Sequence, residues 1–197
     1  MRRCCAGFVV LIATLLWALA ARAHDAMPAA QKTFTVLAPL QYALPTARLI
    51  DTRGRPARLP AALQADAPQI VNFIYTTCST ICSTQTATLA EMQRGLAARG
   101  ARARFASFTI DPDNDTPQRL AEFARRFGIA RDWDFYSGDF NELLRVQEAF
   151  DVYRGSKANH PPVVLMRRFP GAPWVRVEGY PTAQDLLAVF ERLPAAR

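Results

Sequence analysis

Histidine and lysine are almost missing from this sequence. There are 2 His, and of the 24 basic residues only Lys32 and Lys157 are not arginine. Cysteine is sparse as well, with 4 residues, two of which (Cys4 and Cys5) stand in the first apolar stretch. No internal repeat and no low-complexity segment occurs, so the 197 residues point to one ordinary domain with a real core. No long apolar run follows the first, which leaves no second membrane span to expect. The arginines are dispersed and not interleaved with aromatics, so there is no nucleic-acid footprint and no nucleic-acid partner is expected.

The first apolar stretch is a targeting segment. Arg2-Arg3 form a basic start, Cys4 to Ala20 an uncharged apolar run, and Ala21-Arg22-Ala23 a small-residue cleavage site. Residues 1–23 read as a signal peptide, residues 24–33 as a flexible lead-in, and residues 34–197 as the folded domain. Uncleaved, the same segment would instead be a membrane anchor. Cleavage removes Arg2, Arg3 and Arg22 and lowers the formal net charge from +7 to +4. It also removes Cys4 and Cys5. The exported domain then holds Cys78 and Cys82 alone, and a disulfide framework linking distant segments is excluded. His24, at the new terminus, could bind copper through amine and imidazole but has no further ligand; a frayed terminus is expected there.

What is present is organised around Ile70 to Leu89. Ile70-Val71-Asn72-Phe73-Ile74-Tyr75 is too short for a helix, and its β-branched and aromatic content suits a buried strand. Cys78-Ser79-Thr80-Ile81-Cys82 follows a polar turn. Leu89, Met92 and Leu96 then recur at helical spacing, and Gly100 stands where a C-terminal cap belongs. A cysteine where a strand hands over to a helix meets free N–H groups and the positive end of the helix dipole, which favour its thiolate. Positions i and i+4 share a helix face, so both sulfurs can reach one metal ion or each other.

The rest of the chain alternates strands and helices. Ala47 to Leu59 reads as a hairpin turning around Thr52-Arg53-Gly54, and Pro60 to Pro68 as a linker loop. Ala101 to Ile110 reads as a strand. In the turn Asp111 to Pro117, Thr116 caps a helix whose stripe is Leu120, Phe123, Ala124 and Phe127, and the carboxylates Asp111 and Asp115 are read first as serving capping and strand termination, second as serving a partner or a copper loop. Trp133 to Tyr136 is a short strand, and Asp139 to Glu142 resembles a capping box for a third helix. Asp151 to Asn159 is a polar loop. His160-Pro161-Pro162 leads into a hairpin of Val163–Arg167 and Trp174–Glu178, and Thr182 caps a last helix. Met92 and Met166 are core fillers. This order specifies an α/β fold: a mostly parallel central sheet with an antiparallel C-terminal hairpin, helices on both faces and an extra N-terminal hairpin.

A cysteine pair at the first strand–helix junction and an X-Pro before a late strand together suggest a thioredoxin-like fold. By that analogy His160 lies over Cys78 and Cys82. Two thiolates and an imidazole suit copper better than zinc, which would want a fourth protein ligand in a closed site.

Three blocks also carry a family resemblance: VNFIYTTCSTIC (71–82), FTIDPDNDTPQRLAEFARRFG (108–128) and NHPPVVLM (159–166). The chain resembles the Sco/SenC proteins, thioredoxin-like copper chaperones of cytochrome c oxidase assembly. The resemblance implies a copper ion, Cu(I) or Cu(II), held by Cys78, Cys82 and His160. It implies a copper-accepting oxidase subunit and a thiol reductase as partners, and a periplasmic location or an inner-membrane anchor facing the periplasm. Family members often carry proline after each cysteine; this chain has Ser79 and Ser83. A second function remains open, a thiol–disulfide oxidoreductase in which Cys78 attacks a substrate disulfide and Cys82 resolves it. It would not need His160. A thiol peroxidase fits less well, because Tyr75 and Val71 stand where peroxiredoxins carry Thr or Ser and Pro.

Overall fold

The structure, a computed structural model, describes residues 33–129 and 131–194. The expected signal peptide and nearly all of the lead-in, His24 included, lie outside them. Among the described residues no helix is long and apolar enough to cross a membrane.

Eight strands form one sheet: β1 (Phe34–Leu40), β2 (Ala47–Asp51), β3 (Pro56–Leu59), β4 (Gln69–Ile74), β5 (Arg104–Thr109), β6 (Trp133–Gly138), β7 (Val163–Arg167) and β8 (Trp174–Gly179). Their spatial order is β1-β8-β7-β4-β5-β6-β2-β3. The helices are α1 (Ile81–Ala98), α2 (Pro117–Arg126), α3 (Phe140–Ala149) and α4 (Ala183–Glu191). Strand β4 is the hub. It pairs with β5 on one side and β7 on the other, and all its residues are buried, as a mainly apolar strand covered on both faces requires.

Alternate residues of β4 face two cores. Ile70 and Ile74 join Leu89 and Met92 of α1, Phe123 of α2 and Leu186 of α4. Val71 and Phe73 join Val146 of α3, Phe150 at its C-cap and Leu165 of β7. Helices therefore cover both faces, three on one and α3 on the other. Met92 and Met166 are fully buried core residues. Asn72 is the one polar residue of β4's central run, and it is satisfied: it accepts from Ser107 Oγ at 2.6 Å and donates to Gln85 Oε1 at 3.2 Å.

The fold departs from the sequence expectation in four places. Parallel pairing is confined to β4–β5 and β5–β6; the other five pairings are antiparallel. Only α1 and α2 are crossovers between parallel neighbours, and β7 enters β4's free edge in the opposite direction, so the sheet is mixed rather than mostly parallel. Strand β1 lacks a sequence signal because it is an exposed edge strand without apolar alternation. Asp139 caps α3 through Asn141 N–H, but Glu142 closes no capping box. Its carboxylate accepts from Arg48 N–H and pairs with Arg145. The loops at 60–68 and 151–159 each contain a 3₁₀ turn, Ala61–Leu63 and Lys157–Asn159.

Candidate metal centre at the cysteine turn

Cys78 lies in the turn between β4 and α1, two residues ahead of the N-cap Thr80, and Cys82 is the second residue of α1. The turn, not a shared helix face, brings them together. Thr80 offers no side-chain cap. The Cys78 sulfur takes that role, accepting the Cys82 N–H at 3.3 Å. Ser83 Oγ donates back to Cys78 O at 2.9 Å and fixes the turn. No acidic residue stands in the first turn of α1 to compete for the helix dipole. Both cysteines are free thiols.

Their environments set the two sulfurs apart. Burial works against the Cys78 thiolate, but hydrogen bonds from the Cys82 N–H and thiol, the Tyr75 hydroxyl and the Thr80 N–H outweigh it. Together they lower Cys78 to about 7. Deeper burial dominates at Cys82 and pushes its thiol well up, with the neighbouring Cys78 adding to the rise. Tyr75 is raised to about 12, chiefly by its hydrogen bond to Cys78 and then by burial.

His160 closes the 3₁₀ turn, its N–H donating to Lys157 O at 3.3 Å. Its ring is buried edge-on to Phe73, with centroids 6.3 Å apart, and Nε2 lies 3.3 Å from Phe73 O. A carbonyl only accepts, so Nε2 carries the proton and Nδ1 a lone pair. Nδ1 is buried without a hydrogen-bond partner. Burial lowers His160 to about 4, so the ring is neutral at physiological pH.

The structure thus brings Cys78 and Cys82 together, while His160 is engaged on β4's Phe73. Among the described residues no group of three or more His, Cys, Asp and Glu side chains is close enough to hold a metal ion. The donor chemistry does fit a soft metal: one thiolate available near neutrality, a second sulfur beside it, and an unprotonated imidazole nitrogen without a partner. Bringing all three onto one ion requires the His160 loop or the cysteine turn to move, and Nδ1 can ligate while Nε2–H stays on a carbonyl.

Three residues around the turn carry no sequence signal of their role. Tyr75 donates to Cys78. Asp115, fully buried, accepts Thr76 Oγ1 at 2.5 Å, Thr76 N–H at 3.1 Å and Thr109 Oγ1 at 2.5 Å. It moors the cysteine turn to the end of β5. Lys157 pairs with Asp111 at 2.5 Å. The expectation that the acidic pair caps α2 is therefore corrected: Thr116 alone caps it, accepting Arg119 N–H at 3.3 Å, and both carboxylates turn toward the cysteine side.

Comparison with known proteins places this arrangement. The SCO1/SenC family model matches residues 46–166. The SCO1 protein homolog of Bacillus subtilis (strain 168) is 40% identical over 70 residues, which cover 35% of this chain and 36% of that protein. The chain therefore aligns with about a third of the length of that curated relative. Yeast Sco1 with copper bound superposes with a TM-score of 0.66 at 18% identity, covering 77% of this chain and 88% of that one. BsSco, described as a member of the Sco family of cytochrome c oxidase assembly proteins with a disulfide switch, superposes at 0.66 with 24% identity, covering 79% and 95%. These structural matches establish the thioredoxin-like fold.

Proposed function

The chain belongs to the SCO1/SenC family, and from that premise we propose that it is an exported copper metallochaperone. It takes copper onto Cys78, Cys82 and His160 and delivers it, in the periplasm, to a copper site of a respiratory oxidase during assembly. The reading rests above all on the Cys78–Cys82 turn, in which one sulfur is a thiolate near neutral pH and the other stands beside it. The copper-bound yeast Sco1 and the oxidase-assembly role given to BsSco support it from outside the chain.

Copper is cargo here, and the chain's residues do the work. Cys78 presents a thiolate at the mouth of α1. Cys82 gives up its proton on ligation, because a bound metal favours the thiolate that burial disfavours. His160 is already deprotonated at Nδ1. A site of two or three soft ligands leaves room for an acceptor thiolate to enter before the first ligand departs. Both sulfurs must be reduced for each cycle, which calls for a thiol reductase. The test is Cu(I) retention by the reduced protein against a competing chelator. Wild type retains one ion; Cys78→Ser and Cys82→Ser each lose retention. Unchanged retention in either variant would overturn the reading.

One observation favours a second activity at the same turn, thiol–disulfide exchange. A lowered Cys78 beside a raised Cys82 is the asymmetry of an attacking and a resolving thiol. Cys78 would form a mixed disulfide and expel one substrate thiolate. Cys82, losing its proton, would then displace the second, leaving a Cys78–Cys82 disulfide. That activity would persist in His160→Ala, whereas the copper site would not.

A further inference from the structure

We propose that Lys157 is a positioning residue: its ammonium group latches the His160 loop against Asp111 and Tyr75, holding the imidazole in its Phe73-bound place. The latch is read from the structure alone; its consequence for copper rests on the ligand role proposed for His160.

The loop between α3 and β7 is anchored firmly at its start. Arg176, buried in β8, donates to Phe150 O at 2.7 Å and to Asp151 O at 3.0 Å. Asp151 turns the chain with φ +51°, in the left-handed region. Val152 is buried and its N–H donates to Gln147 O. From there the loop's hydrogen bonds are local. Arg154 binds Asp151 and the Tyr153 carbonyl, Tyr153 reaches Gly155 O, and Ser156 caps the 3₁₀ turn.

Two side chains then reach out of the loop near its end, Lys157 and His160. Lys157 Nζ lies 2.5 Å from Asp111 Oδ2 and 5.7 Å from the centre of the Tyr75 ring. Asp111 is itself buried and held by Asn114 Nδ2 at 3.1 Å. Tyr75 bonds Cys78. The Lys157 carbonyl accepts the His160 N–H. One residue therefore grips the acidic turn after β5, the aromatic beside the nucleophilic cysteine, and the backbone of the histidine.

Without it, the bond from His160 to Phe73 O is the last tie of the loop's end. A cavity of about 190 Å³, lined by Ile110, Asp111, Phe140, Tyr153, Lys157 and His160 among others, leaves room there for the loop to move. Opening the latch breaks an ion pair that is half exposed on the lysine side and buried on the aspartate side, where Asn114 still holds the carboxylate.

The experiment compares metal-free wild type, Lys157→Met, Lys157→Arg and Asp111→Asn by amide hydrogen exchange, then follows copper loading in each with and without His160→Ala. The latch predicts that exchange at residues 153–160 rises about two- to fivefold in Lys157→Met and Asp111→Asn, with the sheet unaffected, and that Lys157→Arg restores protection. It also predicts copper loading faster by about the same factor in Lys157→Met, an increase that His160→Ala abolishes. Unchanged exchange at 153–160, or exchange raised equally across the sheet, would overturn the latch. If exchange rises as expected but loading is indifferent to His160, the latch stands and the ligand role falls. If loading depends on His160 but neither loading nor exchange responds to Lys157, the ligand role stands and the latch falls.

Discussion

At the residue scale the two cysteines are chemically unequal, and their difference is measurable without copper. The Cys78 thiol, an acid lowered from its usual 9.0 to about 7, becomes a thiolate as pH rises through about 7. Alkylation by iodoacetamide should therefore climb through that range and level off above it, with Cys82 silent. Tyr75→Phe removes one donor to the sulfur, so the inflection should move up toward 9. An unmoved inflection would show that the hydroxyl contributes nothing. The linked stability has the same sign: between pH 7 and 9 the unfolded chain holds the Cys78 proton that the folded chain has lost. That contribution is present above pH 9 and disappears as pH falls through about 7. Asp115 gives a second prediction. Asp115→Ala takes the acceptor from the half-buried Thr76 N–H and hydroxyl and from the buried Thr109 hydroxyl, and should cost about 2–3 kcal/mol in urea denaturation, while Asn, keeping an acceptor, should cost about 1. Cys78, Cys82 and His160 stood out in the sequence because their residue types are scarce. Asp115 and Lys157 did not, because their bonds span 39 and 46 positions and no local pattern encodes them.

Elements are legible where a local rule decides them. The Thr116-Pro117 start of α2 and the reciprocal Thr182–Asp185 capping box of α4 fall where the sequence puts them. The Glu142 box fails because Arg48 on the neighbouring β2 offers that carboxylate an N–H and a guanidinium. The parallel share of the sheet is smaller than the sequence suggests for a similar reason: alternation of strand and helix says nothing about which edge of β4 the late hairpin joins. Strand β1, exposed at the sheet's edge, has no periodicity to read. Its pairing with β8 still leaves a testable mark. Gly179 has φ +105°, and a Cβ there would stand 2.3 Å from Thr33 O. Gly179→Ala should cost about 1–3 kcal/mol and raise amide exchange along Phe34–Leu37 first. Equal protection of β1 in the variant would contradict that placement.

Across the whole molecule, the turns that matter meet at one end of the sheet. The cysteine turn follows the carboxyl end of β4 and the Asp111–Asp115 turn that of β5, two parallel neighbours, the place where open α/β sheets present their chemistry. His160 reaches that end from the far side of the chain, through Phe73 of β4. Fold and family agree with the sequence reading, and the Cys78–Cys82 pair is assembled; copper delivery turns on the step from that pair to a three-ligand centre. The most direct measurement is copper stoichiometry and the visible spectrum of purified residues 34–197, wild type beside His160→Ala. A three-ligand centre should give one tightly bound copper and a Cu(II)–thiolate charge-transfer band that His160→Ala removes or shifts. No stoichiometric copper under reducing conditions, or a band indifferent to His160, would contradict it and leave the Cys78–Cys82 pair as a thiol–disulfide device.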